Sequence, residues 1–208
     1  MNLRRRILLA ALVLAPAAGF AQDQPFIELR PPQPVSSNDR IEVLEFFWYG
    51  CIHCYNLEPV IEAWLPKLPP DAYFRRIPAV FNERWALDGA IYYAFESLGV
   101  LGKLHRPFFD AIHKDRLKTD NPEALNEWLG KHGVDPTKLD AATKSFGVQT
   151  KLKRAAQLTG ASKIDGTPAL MVQGRYTISS EQGRSREGMF ANAERLFPMA
   201  RKTLTASK

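Results

Sequence analysis

Residues 41–48 read Ile-Glu-Val-Leu-Glu-Phe-Phe-Trp, a run of β-branched and aromatic residues interrupted only by Glu42 and Glu45. Such a run predicts a buried strand in the middle of a sheet. From Cys51 the period changes, because Leu57, Val60, Ile61, Trp64, Leu65 and Leu68 recur at spacings of three and four, which is one face of a helix. Pro59 falls inside that helix without an N–H for the carbonyl of Tyr55, so a kink is expected there, and Pro66, Pro69 and Pro70 end it. Residues 73–77 predict a second strand and residues 26–29 a further one, while residues 169–172, Gly174 and residues 176–178 predict a hairpin. Between these two sets the pattern is helical: residues 85–98, residues 101–112, a helix opened by Asn121-Pro122, another opened by Asp135-Pro136, and residues 148–158. The last helix, about residues 186–203, carries Met189, Phe190, Ala193, Leu196 and Phe197 on one face. The class is α/β, with a long helical stretch inserted into a small α/β unit.

The first residues add a destination. Arg4, Arg5 and Arg6 precede an apolar run at 7–15, and Gly19-Phe20-Ala21 follows with small residues, the pattern of a secretory signal peptide cleaved after Ala21. The apolar core is far shorter than the roughly 20 residues that span a bilayer. Cleavage removes three arginines and no acid, which takes the formal charge from +6 to +3. No long basic run is left to form a nucleic-acid surface. Pro31, Pro32 and Pro34 mark a loop before the main strand.

Cys51 and Cys54 are the only cysteines, and they sit where the strand pattern gives way to the helix pattern. A chain of this size, 45% apolar, builds its core without disulfides. A bridge closing so short a loop also removes little unfolded-chain entropy. The pair therefore reads as chemistry. A cysteine that opens a helix meets unpaired N–H groups and the positive end of the helix dipole, so its thiolate is favoured. That thiolate attacks disulfides, and its low pKa makes it a good leaving group. Cys54, one turn in, is shielded and would resolve the mixed disulfide formed at Cys51. His53 adds a donor or a positive charge beside the Cys51 sulfur. Rival uses fail on spacing: Tyr55 follows Cys54 where c-type haem attachment needs histidine, and His105, His113 and His132 stand too far apart for a four-ligand zinc site. No cofactor and no metal are expected.

Glu45 lies in the predicted strand among apolar neighbours, where a charged carboxylate is costly unless paired. It reads either as an acid of raised pKa that takes the proton of Cys54, with Arg76 a candidate partner, or as a strand-end glutamate turned to water. Thr167-Pro168 enters the later strand after Gly166, and an X-Pro bond is trans by default.

The stretches "EFFWYGCIHCY" at 45–55 and "GTPALMVQGRY" at 166–176 make this chain similar to the DsbA family, periplasmic thiol:disulfide oxidoreductases of Gram-negative bacteria. The resemblance covers the chain beyond the leader, in the order strand, Cys-x-x-Cys helix, helical insertion, proline-headed strand pair and final helix. It implies a thioredoxin fold with an inserted α-helical domain: a thioredoxin unit in two parts, residues 22–82 and 161–208, split by a helical domain at 83–160. It also implies that Cys51 is the exposed nucleophile, Cys54 its buried partner, Glu45 a buried acid, Pro59 a helix-kinking proline, and Pro168 a cis proline that faces the cysteines and, with Thr167, meets the substrate. Two positions depart from the family's commonest residues, Ile52 where proline is usual and Thr167 where valine is usual, and both tune redox poise. The implied function is an oxidase that donates its Cys51–Cys54 bridge to reduced exported polypeptides. Its implied partner is a quinone-linked membrane oxidase of the DsbB type, and it would act as a monomer without nucleic acid. The alternatives are a reductase or isomerase of the same superfamily, or a non-catalytic peptide-binding module. Isomerases of this kind carry an extra N-terminal dimerisation domain, for which the segment between Ala21 and the main strand leaves no room.

Overall fold

The computed structural model describes residues 24–206, so the expected leader lies outside the described residues. In chain order the elements are β1 (Ile27–Glu28), β2 (Ile41–Phe47), α1 (Ile52–Trp64), β3 (Ala72–Pro78), α2 (Glu83–Ser97), α3 (Leu101–His113), α4 (Pro122–Lys131), α5 (Pro136–Lys144), α6 (Phe146–Ala161), β4 (Ala169–Val172), β5 (Tyr176–Ser179), α7 (Ser180–Gly183) and α8 (Arg186–Ala206). The strands form one sheet in the order β1-β5-β4-β2-β3. All seven residues of β2 are buried, as its apolar run demands, because the strand is flanked on both edges and covered on both faces. It pairs in parallel with β3 through α1, and antiparallel with β4.

Alternation along β2 divides the interior. Ile41 and Val43 point into a core built with Leu57 and Ile61 of α1 and with Phe190 and Leu196 of α8. Leu44 and Phe46 point the other way, into a core with Ile91 and Phe95 of α2, Phe108 of α3 and Val148 of α6. The inserted helices thus seal the second face of the sheet. Their starts follow local chemistry: Asn121 and Asp135 accept backbone N–H groups as N-caps with proline just inside, and Asn82 and Ser145 cap α2 and α6 in the same way.

Pro59 lies inside α1, which ends at Trp64 and runs on into one 3₁₀ turn, Leu65–Lys67, that contains Pro66. The structure adds α7, whose Ser179 and Gln182 form a capping box, and a cis bond at Arg30-Pro31. The predicted hairpin is present: Gln173 and Gly174 take φ of 50° and 61°, the left-handed pair of a three-residue connection in which the Arg175 N–H donates to the Val172 carbonyl. A Cβ on Gly174 would also run into the carbonyl of Gln33. We therefore expect Gly174→Ala to lose on the order of 2 kcal/mol. Urea unfolding should show a lower midpoint at unchanged slope, and an unchanged midpoint would refute this account of the turn.

Candidate active site

Cys51 is the N-cap of α1, with extended backbone, and its Sγ accepts the N–H of Cys54 at 3.4 Å. Both thiols are free; Cys51 is partly open to solvent and Cys54 is fully buried. The Cys51 thiol is held well below its ordinary range, at about 5. The largest cause is the hydrogen bond from the Cys54 thiol; the Thr167 hydroxyl and the backbone amides of Cys54 and His53 add to it, against the opposing effect of burial. Burial pushes the Cys54 thiol up instead, and the hydrogen bond that it gives to Cys51 adds to the rise. The two sulfurs of one motif therefore differ in both exposure and proton affinity.

The loop before β4 completes the sulfur's surroundings. The Thr167-Pro168 bond is cis, and the Thr167 carbonyl lies 3.3 Å from Cys51 Sγ. The Thr167 hydroxyl is buried, acts on both sulfurs, and has no aligned hydrogen-bond partner among the described residues. Beside this loop opens a cavity of about 380 Å³, lined among others by His53, Thr167, Pro168, Ser180, Arg186 and Met189. His53 contributes its backbone N–H to the sulfur, while its side chain is exposed and lines the cavity. Ile52 is 46% exposed, an apolar side chain at the motif's outer face. On the other flank the Trp48 ring covers Gly50, where a Cβ would overlap it. That ring stacks on Trp85 at 4.4 Å and donates to Asp88 at 2.7 Å.

Glu45 is fully buried, which excludes the water-facing alternative. Parallel register sets it opposite Arg76, whose Nε lies 3.1 Å from Glu45 Oε2 without the alignment of a hydrogen bond. Neither carboxyl oxygen of Glu45 has a hydrogen-bond partner among the described residues. Burial raises its pKa to about 8, against the pull of Arg76 and with a further push from Glu58. Glu45 is thus largely protonated at neutral pH, and it is close enough to the cysteines for its charge to act on both.

Sequence reasoning missed Glu58. It is buried one turn beyond Cys54, with Arg76 Nη2 3.0 Å from each of its oxygens and His105 Nε2 3.4 Å from Oε1. Burial works to raise its pKa, but His105 and Arg76 outweigh it and hold Glu58 low. The available signal was the interruption of an apolar helix face by an acid four residues after Cys54. The three histidines that stand too far apart in sequence for a zinc site are each hydrogen-bonded: His105 to Tyr49 and Glu58, His113 to the Tyr49 carbonyl, and His132 to the Trp128 carbonyl. Among the described residues, no group of three or more histidine, cysteine, aspartate or glutamate side chains is arranged to hold a metal ion.

Comparison with known proteins places this geometry among relatives. A family model described as a DSBA-like thioredoxin domain matches residues 76–197. The chain is 40% identical over 176 residues to a thiol:disulfide interchange protein DsbA of Azotobacter vinelandii, covering 85% of this chain and 82% of that protein. It is 38% identical over 181 residues to the protein of the same name in Pseudomonas aeruginosa, covering 84% and 86% respectively. Among solved structures, Pseudomonas aeruginosa DsbA aligns with a TM-score of 0.79 at 35% identity, covering 89% of this chain and 95% of that one. The oxidoreductase DsbA of Xylella fastidiosa aligns with a TM-score of 0.78 at 28% identity, covering 85% and 95%.

The Cys51 geometry has a consequence for stability. Its folded pKa of about 5 lies below the unfolded value of roughly 8.5, so the reduced fold gains stability that is fully present above the unfolded pKa. That gain is lost as pH falls through the folded pKa. A bridge across so short a loop offsets only part of it. The reduced protein should therefore melt a few degrees above the oxidised one near pH 7, with the difference shrinking toward pH 5. Paired melting curves in the two redox states check this, and a more heat-stable oxidised form at pH 7 would contradict it.

Proposed function

We propose, for a chain that belongs to the DSBA-like thioredoxin family and is a thiol:disulfide oxidoreductase, that Cys51 and Cys54 are its redox pair and that it works as an oxidase of exported polypeptides. The observation that carries this reading is the asymmetry of the two sulfurs, one capping a helix at the surface and one buried beneath it. A substrate thiolate attacks Sγ of Cys51 in the oxidised protein, a mixed disulfide forms, and Cys54 departs as the leaving group. A buried thiolate is unfavourable, so Glu45, which holds a proton at neutral pH, supplies it to Cys54. The second substrate thiol gives its proton to solvent and, as a thiolate, attacks the substrate sulfur of the mixed disulfide. Cys51 leaves readily as a stabilised thiolate. The substrate has lost two electrons and gained a bridge; the protein holds a Cys51 thiolate and a Cys54 thiol.

Regeneration runs the other way. The Cys51 thiolate attacks the disulfide of an oxidised partner, Cys54 gives its proton to Glu45 in the fraction of molecules in which that carboxyl is ionised, and Cys54 displaces the partner from Cys51. We assign this step to a quinone-linked membrane oxidase of the DsbB type. The leader pattern at residues 1–21 supports export to the periplasm. Thr167 and Pro168, set against the Cys51 sulfur and the neighbouring cavity, are the groups that an incoming polypeptide would meet. Ile52 and His53 tune the pair from the outer face and from the helix start. All of these groups come from one copy of the chain, so a monomer suffices. The proposed domain division, 22–82 and 161–208 around a helical insertion at 83–160, is supported by the run of helices between Glu83 and Ala161 that separates β3 from β4.

Two experiments test the reading. Cys54→Ala should accumulate mixed disulfides with an oxidised partner or with any polypeptide that already carries a disulfide, and Cys51→Ala should accumulate none; faster alkylation of Cys54 than of Cys51 would reverse the roles. Glu45→Gln should slow displacement by Cys54 by about tenfold or more, while the first attack by the Cys51 thiolate keeps its rate in stopped-flow measurements. Equal slowing of both steps would count against a proton carrier. A module that only binds peptides would give no turnover in reduced-peptide oxidation.

A further inference from the structure

His105 is a buried titratable group for which the exchange steps above assign no role. Helix α3 sets its ring against the start of α1, where it joins two groups that are far apart in sequence. Nδ1 lies 2.9 Å from the Tyr49 hydroxyl and Nε2 lies 3.4 Å from Glu58 Oε1. From Glu58 the chain of contacts continues through Arg76, 3.0 Å away, to Glu45, 3.1 Å beyond it. Five groups, Tyr49, His105, Glu58, Arg76 and Glu45, thus form one series in which Arg76 alone is partly exposed and whose last member acts electrostatically on both cysteines.

Counting protons along the series fixes its state. Burial keeps the Tyr49 phenol protonated, so its O–H donates to Nδ1. Burial is also the main cause that holds the imidazole below its ordinary range; Glu58 pulls upward, and Arg76 and Arg106 add to the lowering. The neutral ring then carries its hydrogen on Nε2 and donates it to Glu58. The groups that face the ring from each packed element are Tyr49 before α1, Glu58 on α1, Arg76 on β3, Tyr92 on α2 and Arg106 on its own helix. Arg76, itself partly buried, is the cation that both buried carboxyl groups share, and a single cation balances one anion. Glu58 has the Arg76 bonds and the His105 donor, whereas Glu45 has no aligned donor at all.

We propose that His105 is a positioning residue: its Nε2–H makes Glu58 the anion paired with Arg76, and so leaves Glu45 as the carboxyl group that carries the proton beneath Cys54. The proposal rests on reading Glu45 as the proton carrier for Cys54. It assigns the inserted helices a part in the exchange chemistry, through a residue that touches neither sulfur. Without the Nε2 donor, the two carboxyl groups share Arg76 on more equal terms. Glu58 then binds its proton more tightly, and Glu45 releases its own at lower pH.

Two substitutions of equal polarity separate this role from packing. His105→Asn retains a polar group near the Nδ1 position, facing Tyr49, but cannot reach Glu58; His105→Gln can place an N–H near the Nε2 position. Carbon-13 NMR titration of the Glu45 carboxyl in the reduced protein reads the effect directly. With His105→Asn the midpoint should fall by about one pH unit, and the pH profile of displacement by Cys54 should move down with it. With His105→Gln both should stay near the parent values, and neither variant should change the alkylation rate of Cys51. Equal shifts in the two variants, or none in either, overturn the assignment of His105. Should Glu45→Gln leave displacement by Cys54 unaffected while His105→Asn still moves the Glu45 midpoint, the proton-carrier reading fails and the positioning of the proton by His105 stands. If either variant melts far below the parent, Glu58→Gln supplies the same test: it removes the competing anion and should lower the Glu45 midpoint, and an unchanged midpoint would overturn the proposal.

Discussion

The first turn of α1 has backbone N–H groups with no helical acceptor, and the sulfur of Cys51 fills that place. The loop from Trp48 to Gly50 brings the chain from the end of β2 to the start of α1, and Gly50 lets it pass beneath the Trp48 ring. The loop before β4 then delivers the Thr167 hydroxyl to the same sulfur. An anion is favoured at that point in the folded protein and has no such support in the unfolded chain. The helix start therefore stabilises the reduced form, which is the thermodynamic meaning of an oxidising disulfide.

The same fold must manage a proton underneath. Cys54 is fully buried, so its sulfur cannot stay charged when the bridge opens, and water does not reach it. The register of β2 and β3 sets Arg76 opposite Glu45, and α1 lays Glu58 over Arg76 from the other side. Two buried carboxyl groups thus share one partly buried cation. Because burial raises Glu45 while Glu58 is held low, the proton rests on the carboxyl group whose oxygens are free of hydrogen bonds. A full set of bonds on Glu45 would have made it a structural anion; oxygens free of hydrogen bonds are what the proposed proton transfer to Cys54 requires.

Most of the sheet was legible from local pattern. The apolar run of β2, the change of period at Cys51, the Asn-Pro and Asp-Pro helix starts and the turn at Gly174 each follow from short-range chemistry that a sequence displays directly. Helix α7 was overlooked even though Ser179 and Gln182 stand at capping-box spacing. The buried charges were harder to read because their partners are set by tertiary contact: Glu58 interrupts an apolar face, and nothing local pairs it with Arg76 or with His105, which lies 47 residues away. His53 shows the converse limit. Its place between the cysteines suggested a side-chain effect, whereas the contact that reaches the sulfur is its backbone N–H, which any residue other than proline would supply.

The central claim is that the start of α1 makes the Cys51–Cys54 bridge oxidising. Its most direct measurement is the equilibrium of the purified protein with defined ratios of reduced and oxidised glutathione at pH 7. The account predicts that the protein stays reduced until oxidised glutathione dominates the mixture, a potential above that of the glutathione couple. A bridge that persists in a large excess of reduced glutathione would contradict it and would assign the chain to the reducing side of its superfamily.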